Sequence, residues 1–304
     1  MNGMVQLVAL DVTSRCNLRC AHCYNASGGA GERDLNSYEL ISLAGEIAEL
    51  RPGAVCLCGG EPLLVDDIIE MMDFLQGKTA GISMVSNGLL MTDAMAKTLK
   101  AHGLKAIQIS LDGAFAWQHD SLRGKAGSFD AALRAIYALK EAGVQQVSVS
   151  MIPNRLNYCT MEEYFGLCAS LGISVLKFMP FMPLGRGSGE GRDLILKEKE
   201  MFCFQRQLSR MKGVYAEAMH VEWDDPVRSA RTLCEKILRG EPPYSICIAA
   251  NGDVRTDIYA PVLLGNIRER TLEELLRDGL REAIEQGRFQ KVLKDLHEIN
   301  DLGR

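Results

Sequence analysis

The chain has 304 residues, 47% of them hydrophobic and 24% charged, with a formal net charge of −5. That length suits one large domain, or a large domain with an appendix, and the mild acidity argues against the basic face that a nucleic-acid backbone or an anionic membrane would need. No apolar run approaches the roughly 20 residues of a membrane span, and residues 1–12 show neither a basic leader nor a small-residue cleavage site, so a cytoplasmic protein is expected. In a reducing compartment the ten cysteines point to metal or cluster ligation, catalysis or burial rather than to a disulfide framework.

Strand-like and helix-like segments alternate through the first 180 residues. "VQLVALDVT" (5–13) reads as a buried strand, and "SYELISLAGEIAEL" (37–50) has helical apolar spacing. "GAVCLCGG" (53–60) is a second strand, 66–76 a helix, and "GISMVSNG" (81–88) a third strand. Residues 92–102 are helical, with Thr92 as N-cap. "KAIQISLDG" (105–113) is a fourth strand, and 128–143 a helix capped by Ser128 and stopped by Gly143. "QQVSVSMIP" (145–153), a helix over 160–171 and "ISVLKFMP" (173–180) complete six βα repeats. Such an alternation predicts an α/β fold with a parallel sheet, either open or curled into a full or partial barrel.

"PLGRGSGEGR" (183–192) interrupts the pattern with four glycines, which predicts a flexible linker over 184–192 between a first domain (1–183) and a second (193–304). The second carries helices over about 195–212 and 228–239, an extended piece between them, and a hairpin turning at Asn251-Gly252. From "TLEELL" the chain reads as helical nearly to its end.

In parallel α/β sheets the reactive groups sit at the C-terminal strand ends. Several motifs fall there: Cys16, Cys20 and Cys23 after strand one, "GGEP" after strand two, "SNG" and "LDG" closing strands three and four. Soft thiolates at C-x3-C-x2-C spacing suit zinc or an iron–sulfur cluster. A structural zinc wants four ligands, and His22 is available as the fourth, although it adjoins Cys23. A four-iron cluster on three cysteines leaves one iron open to substrate or cofactor. Cys56 and Cys58 share one face of strand two and read as buried; Cys159 and Cys168 read as loop and helix-core residues.

"CNLRCAHC" resembles the cluster motif of radical S-adenosylmethionine (SAM) enzymes, and the resemblance runs from residue 5 to about 180. It implies a partial (β/α)6 barrel, one four-iron–four-sulfur cluster on Cys16, Cys20 and Cys23, and one SAM. By the same resemblance Glu61 meets the SAM ammonium, with Gly59 and Gly60 allowing close backbone approach. Ser86, Asn87, Ser110 and Asp112 supply polar arms for carboxylate and ribose, Arg123 in "HDSLRGKAGSFDAAL" holds the carboxylate, and His22 lies near adenine.

A second resemblance covers "CIAANGDVRTDIYAPVLLGNIRERTLEELL" (247–276), which is similar to the start of the cysteine-rich SPASM extension of peptide-modifying members. Asp257 stands where that extension has a cysteine, and no cysteine follows Cys247, so a pair of auxiliary clusters is not expected. One auxiliary cluster on Cys203, Cys234, Cys247 and Asp257 stays open, as does a hydrogen-donor role for Cys203, Cys234 or Cys247. The resemblance implies a radical SAM enzyme acting on a ribosomally made peptide by cross-linking, epimerisation or rearrangement. It also implies a flavodoxin- or ferredoxin-type reductant, and a leader held by the barrel mouth, the C-terminal third or a separate leader-binding protein. A small molecule of cofactor or natural-product biosynthesis is the alternative substrate, and a non-catalytic metal-binding scaffold the alternative of another class.

Overall fold

The computed structural model describes residues 5–223, 226–258 and 260–302, and all candidate site residues fall inside these. Seven strands run parallel in chain order: β1 (Leu7–Asp11), β2 (Ala54–Cys58), β3 (Gly81–Ser86), β4 (Leu104–Ser110), β5 (Gln146–Met151), β6 (Val175–Phe178) and β7 (His220–Trp223). On the other side of β1 lies β8 (Ser245–Ile248), also parallel to it, followed by β9 (Asp253–Arg255) and β10 (Leu263–Asn266) as antiparallel partners. The result is one ten-stranded sheet in the order β10-β9-β8-β1-β2-β3-β4-β5-β6-β7, curved as a partial barrel and not closed.

Alternation along the strands separates two faces. Val8, Leu10, Val55, Leu57, Ile107 and Ile109 are buried against the helices, whereas Ala9, Asp11, Cys56 and Cys58 are half-buried on the concave side. The helices α1 (Ser37–Leu50), α2 (Ile68–Leu75), α3 (Asp93–Ala101), α4 (Ala116–Arg123), α5 (Ser128–Glu141) and α6 (Met161–Ser170) cover the convex face. In α1 the spacing of Leu40, Leu43, Ala44 and Ile47 makes one apolar stripe, and Asn36 with Glu39 forms a capping box. Thr92 caps α3 through Met95 N–H, as the sequence predicts.

Three features differ from the sequence reading. Ser128 does not cap α5: Gly127 holds that position with φ +80°, and the Ser128 hydroxyl donates to Asp120 instead. The sequence reading passes over α4. The extended piece near 213–221 resolves into β7, a seventh parallel strand, and the predicted hairpin joins β1, so the C-terminal third extends the barrel sheet directly. Helix α7 (Glu198–Val214) packs Phe204 on Phe178 and Trp223, and α8 (Pro226–Leu238) precedes β8.

Candidate active site

The loop after β1 carries Cys16, Cys20 and Cys23, and its backbone is held from three sides. Asp34 accepts from Thr13 Oγ1 (2.8 Å) and Ser14 N–H (2.7 Å) at its root. From the β2 side, Gly60 N–H donates to Thr13 O (2.7 Å) and Glu61 N–H to Arg15 O (2.9 Å). A Cβ on Gly60 would lie 2.0 Å from Arg15 O, and one on Gly59, whose φ is +124°, 2.4 Å from Thr13 O. These glycines let the backbone approach the cysteine loop itself, where the resemblance implied approach to a cofactor.

The third side is the glycine-rich segment. Arg186, buried to 9% exposure, donates from Nε to Cys20 O (2.9 Å) and from Nη1 to Ser27 O (2.8 Å), while its own N–H reaches Cys23 O (3.0 Å). Side chains at Gly185 or Gly191 would collide with Tyr24 O or Ala21 O. Where composition alone suggests a flexible linker, the chain here is pressed against the cysteine loop. Sequence reasoning missed Arg186, because an arginine among glycines carries no local sign of a buried partner.

Glu61 is fully buried at the start of the short helical turn Pro62–Leu64. Its Oε1 accepts from Ser86 Oγ (2.8 Å) and Leu63 N–H (3.3 Å), and its Oε2 from Asn87 N–H (2.9 Å). Burial raises its pKa above the ordinary glutamate value, against these donors. The Asn87 amide points the other way, donating to Asn17 Oδ1 (2.8 Å) and towards Cys16 Sγ (3.9 Å). "GGE" and "SNG" thus meet the cysteine loop as one unit.

Asp112 and Arg123 form the opposite wall. Arg123 donates from Nε (2.6 Å) and Nη2 (2.5 Å) to Asp112 Oδ2, and Nη1 lies 3.7 Å from Cys20 Sγ. Asp112 Oδ1 accepts from Ile152 N–H (2.9 Å). Burial, the largest single influence, would raise the Asp112 carboxyl, but Arg123, His22, His119 and the Ile152 N–H together outweigh it and the net shift is downward. The resemblance gave this arginine and this aspartate to the cofactor; the structure shows them bonded chiefly to each other. His119 was not predicted: its Nδ1 accepts from Asp112 N–H (3.0 Å), which fixes the tautomer, and its Nε2 has no partner. Ser110 is buried at the end of β4, beside Ser150.

His22 lies edge-on to Phe181 at 6.3 Å between ring centroids, and its Nδ1 has no hydrogen-bond partner. Burial, with Arg123 next, pushes the imidazole down to about 3, so it is neutral. Cys16 and Cys20 are pushed up, chiefly by burial.

The donor set fits an iron–sulfur cluster. Three soft ligands stand on one wrapped loop, an amide approaches one sulfur, a guanidinium approaches another, and such N–H groups stabilise cluster thiolates. Buried thiols become thiolates once a cation binds them.

The C-terminal candidates do not gather in this way. Cys203 lies on α7, beside Gln207, at the β6–β7 side of the sheet. Cys234 is fully buried on α8, and Cys247 is half-buried on β8. Asp257 raises both thiols electrostatically, after burial, to about 11 and about 12. Cys56 and Cys58 share one face of β2 as expected, half-buried on the concave side, with their sulfurs 3.3 Å apart.

A three-thiol loop at the C-terminal mouth of a curled parallel sheet, walled by a buried glutamate and an arginine, defines a cluster-bearing α/β partial barrel. The profile of the Radical SAM superfamily matches residues 10–168, and the chain belongs to that superfamily. Among curated proteins it is similar to the mycofactocin maturase MftC of Mycolicibacterium smegmatis, 34% identical over 184 residues, or 60% of this chain and 46% of that one. It is also similar to the Fe-coproporphyrin III synthase of Methanosarcina barkeri, 29% identical over 314 residues, or 96% of this chain and 78% of that one. The match thus spans about half the length of the mycofactocin maturase. Among solved structures, anSMEcpe with bound AdoMet superposes with a TM-score of 0.70 at 19% identity, covering 91% of this chain and 82% of that one. Streptococcus suis SuiB bound to S-adenosylmethionine gives 0.71 at 15%, covering 93% and 68%. At those identities the likeness is one of fold.

Proposed function

We propose that this protein is a radical SAM enzyme that holds one four-iron cluster on Cys16, Cys20 and Cys23 and acts on a ribosomally made peptide. The observation that carries the reading is the convergence of the superfamily match with the sulfur environment, Asn87 beside Cys16 and Arg123 beside Cys20. With the cluster and SAM bound, the chemistry supplied is reductive cleavage of the sulfonium to methionine and a 5′-deoxyadenosyl radical that takes a hydrogen atom from the substrate. Glu61, buried and held by Ser86, Leu63 and Asn87, offers its carboxylate to an ammonium group. Arg123 and Asp112 brace the wall beside Cys20. Neutral His22, with an unpartnered ring nitrogen against Phe181, suits the edge of a heteroaromatic ring. Arg186 holds the cysteine loop in register with the segment after β6.

The peptide reading is supported by the mycofactocin maturase similarity over the barrel and by two proteins of this fold held with peptides, SuiB with the precursor peptide SuiA and anSMEcpe with a Cp18Cys peptide. A second reading, a tetrapyrrole substrate, is favoured by a different observation: the porphyrin- and heme-synthase relatives of Methanosarcina barkeri align over 96% and 90% of this chain. A leader-binding partner and a flavodoxin- or ferredoxin-type reductant belong to the proposal. So does a cytoplasmic location, consistent with ten free cysteines; among the described residues no helix is long and apolar enough to cross a membrane.

Anaerobic reconstitution tests the core of this. Wild type should bind about four irons with matching sulfide and release 5′-deoxyadenosine from SAM under dithionite, while a Cys16/Cys20/Cys23→Ala variant should bind none. Iron retained by that variant would establish a second cluster among the C-terminal candidates. Wild type that binds no iron, or cleaves no SAM, refutes the reading. Titration with iron coproporphyrin III, followed by its visible absorbance, decides between substrate classes: saturable binding favours the tetrapyrrole.

A further inference from the structure

Cys56 and Cys58 are used by nothing described so far. They occupy alternate positions on β2, so both side chains leave the same face. Between and before them Leu57 and Val55 are fully buried towards the helices, while both cysteines are half-buried on the concave face. Their sulfurs lie 3.3 Å apart. Register sets Cys58 beside Asp11 and Cys56 beside Ala9, whose other neighbour is Cys247. Lys177 of β6 acts electrostatically on Cys56, across the concavity.

Cys58 is also at the mouth. It is the last residue of β2, directly before Gly59 and three positions before Glu61. Tyr24, which follows Cys23, interacts electrostatically with Cys58, Cys247 and Asp11. The dithiol therefore lies on the inner face of β2, near Tyr24 of the cysteine loop. The sulfur–sulfur contact distributes the protons unequally: it lowers the Cys56 thiol and raises that of Cys58, burial adding to the second effect. The Cys58 thiol also donates towards Cys56 O (3.6 Å), a geometry in which Cys58 carries the hydrogen. An S–H bond is weaker than an aliphatic C–H bond, so a thiol so placed reduces a carbon radical downhill.

We propose that Cys58, partnered by Cys56, is the hydrogen-atom donor of the barrel interior, returning a hydrogen to a carbon radical held there. The proposal rests on the radical SAM reading above. The S–H bond of Cys58 breaks homolytically and a C–H bond forms, leaving the unpaired electron on the Cys58 sulfur. Cys56 releases its proton to water and shares an electron pair with that sulfur, giving a disulfide radical anion. One electron from a flavodoxin- or ferredoxin-type reductant and two protons from water restore both thiols. The sum is a carbon radical, one electron and one proton going to a C–H bond. A substrate handled this way leaves with a hydrogen exchanged, as in epimerisation, rather than removed.

The test uses SAM as the source of the radical probe. Reconstituted holoenzyme is reduced with dithionite in thiol-free D2O buffer with SAM and no added substrate, and 5′-deoxyadenosine is analysed by mass spectrometry. Exchangeable deuterium then resides on the thiols, and solvent O–D bonds are too strong to donate. Wild type and Cys159→Ser, a change at an exposed site, should give monodeuterated 5′-deoxyadenosine. Cys58→Ser and Cys58→Ala should lose the label. Unlabelled product from wild type, or label lost in Cys247→Ser but kept in both Cys58 variants, overturns the assignment. If no 5′-deoxyadenosine forms at all, the radical reading fails and takes the proposal with it. Independently of turnover, anaerobic diamide treatment should close a Cys56–Cys58 disulfide, seen as two hydrogens lost from the peptide carrying both. A peptide retaining two free thiols overturns the pairing.

Discussion

Asp112 and Arg123 face each other with side-chain exposures of 0% and 11%, so their pairing is not screened by solvent. Removing one charge leaves the other stranded. Asp112→Asn is expected to destabilise the fold by about 3–5 kcal/mol, measured by urea unfolding. Glu190→Gln, which breaks the exposed pair with Arg19, should change stability by less than about 1 kcal/mol. Asp11 gives the opposite kind of effect. Burial raises its carboxyl from 3.8 to about 6, with Arg255 opposing and Asp34 assisting. Between those values the folded protein holds a proton that the unfolded chain has lost, so this residue's contribution to stability falls as pH rises from about 4 to about 6. Asp11→Asn should match wild type near pH 4 and exceed it at pH 7, by about 1–2 kcal/mol after discounting for partial exposure. Unfolding curves at four pH values check the sign; a difference that shrinks with rising pH contradicts it. At this scale the sequence revealed which residues converge but not what they bond to. Spacing cannot show that Arg123 turns to Asp112, since that pairing depends on how α4 folds back over the end of β4.

The elements meet at the cysteine loop through close backbone contacts. Gly60 and Gly191 approach the cysteine loop from β2 and from the segment after β6, and an added methyl would sit 2.0 Å and 2.2 Å from carbonyls of Arg15 and Ala21. Gly29 has open space around its would-be Cβ. Alanine at Gly60 or Gly191 should therefore displace the loop, costing on the order of 1–3 kcal/mol or more and lowering iron uptake together. Gly29→Ala should leave both near wild type. Iron content and thermal unfolding of the three variants report this; a Gly191→Ala protein with normal iron would mean that the segment merely lies nearby. Strands and helices of the barrel were readable because periodicity and caps are local: α1 spans the predicted 37–50, and Thr92 caps α3. The packing of "GRGSGEGR" onto the cysteine loop was not readable. A glycine run looks the same whether it is free or pressed flat, and only the opposing backbone tells them apart.

At the scale of the whole molecule, the C-terminal third is built into the barrel rather than appended to it. Strand β8 pairs with β1 from Leu7 to Leu10, so the strand leading into the cysteine loop is hydrogen-bonded on both sides, to β2 and to β8. Arg268 binds Glu39 through Nε (2.6 Å) and Nη2 (2.9 Å), and Leu272 N–H donates to Glu46 Oε2 (2.7 Å), tying the C-terminal third to α1. A sequence divided at its glycine run hides this, because parallel pairing between residues 7 and 245 leaves no mark in either segment. A chain cut after Gly240 would turn β1 into an edge strand with an open row of backbone groups, and would uncover Val8 and Leu10, which are fully buried. That fragment should aggregate or unfold without cooperativity, and should fail to keep a cluster although it retains all three cysteines. Size-exclusion chromatography and iron content decide the matter. A monomeric fragment with a sharp transition and about four irons would show that the first 240 residues stand without the strands that follow, and that pairing with β8 is dispensable for holding the cysteine loop.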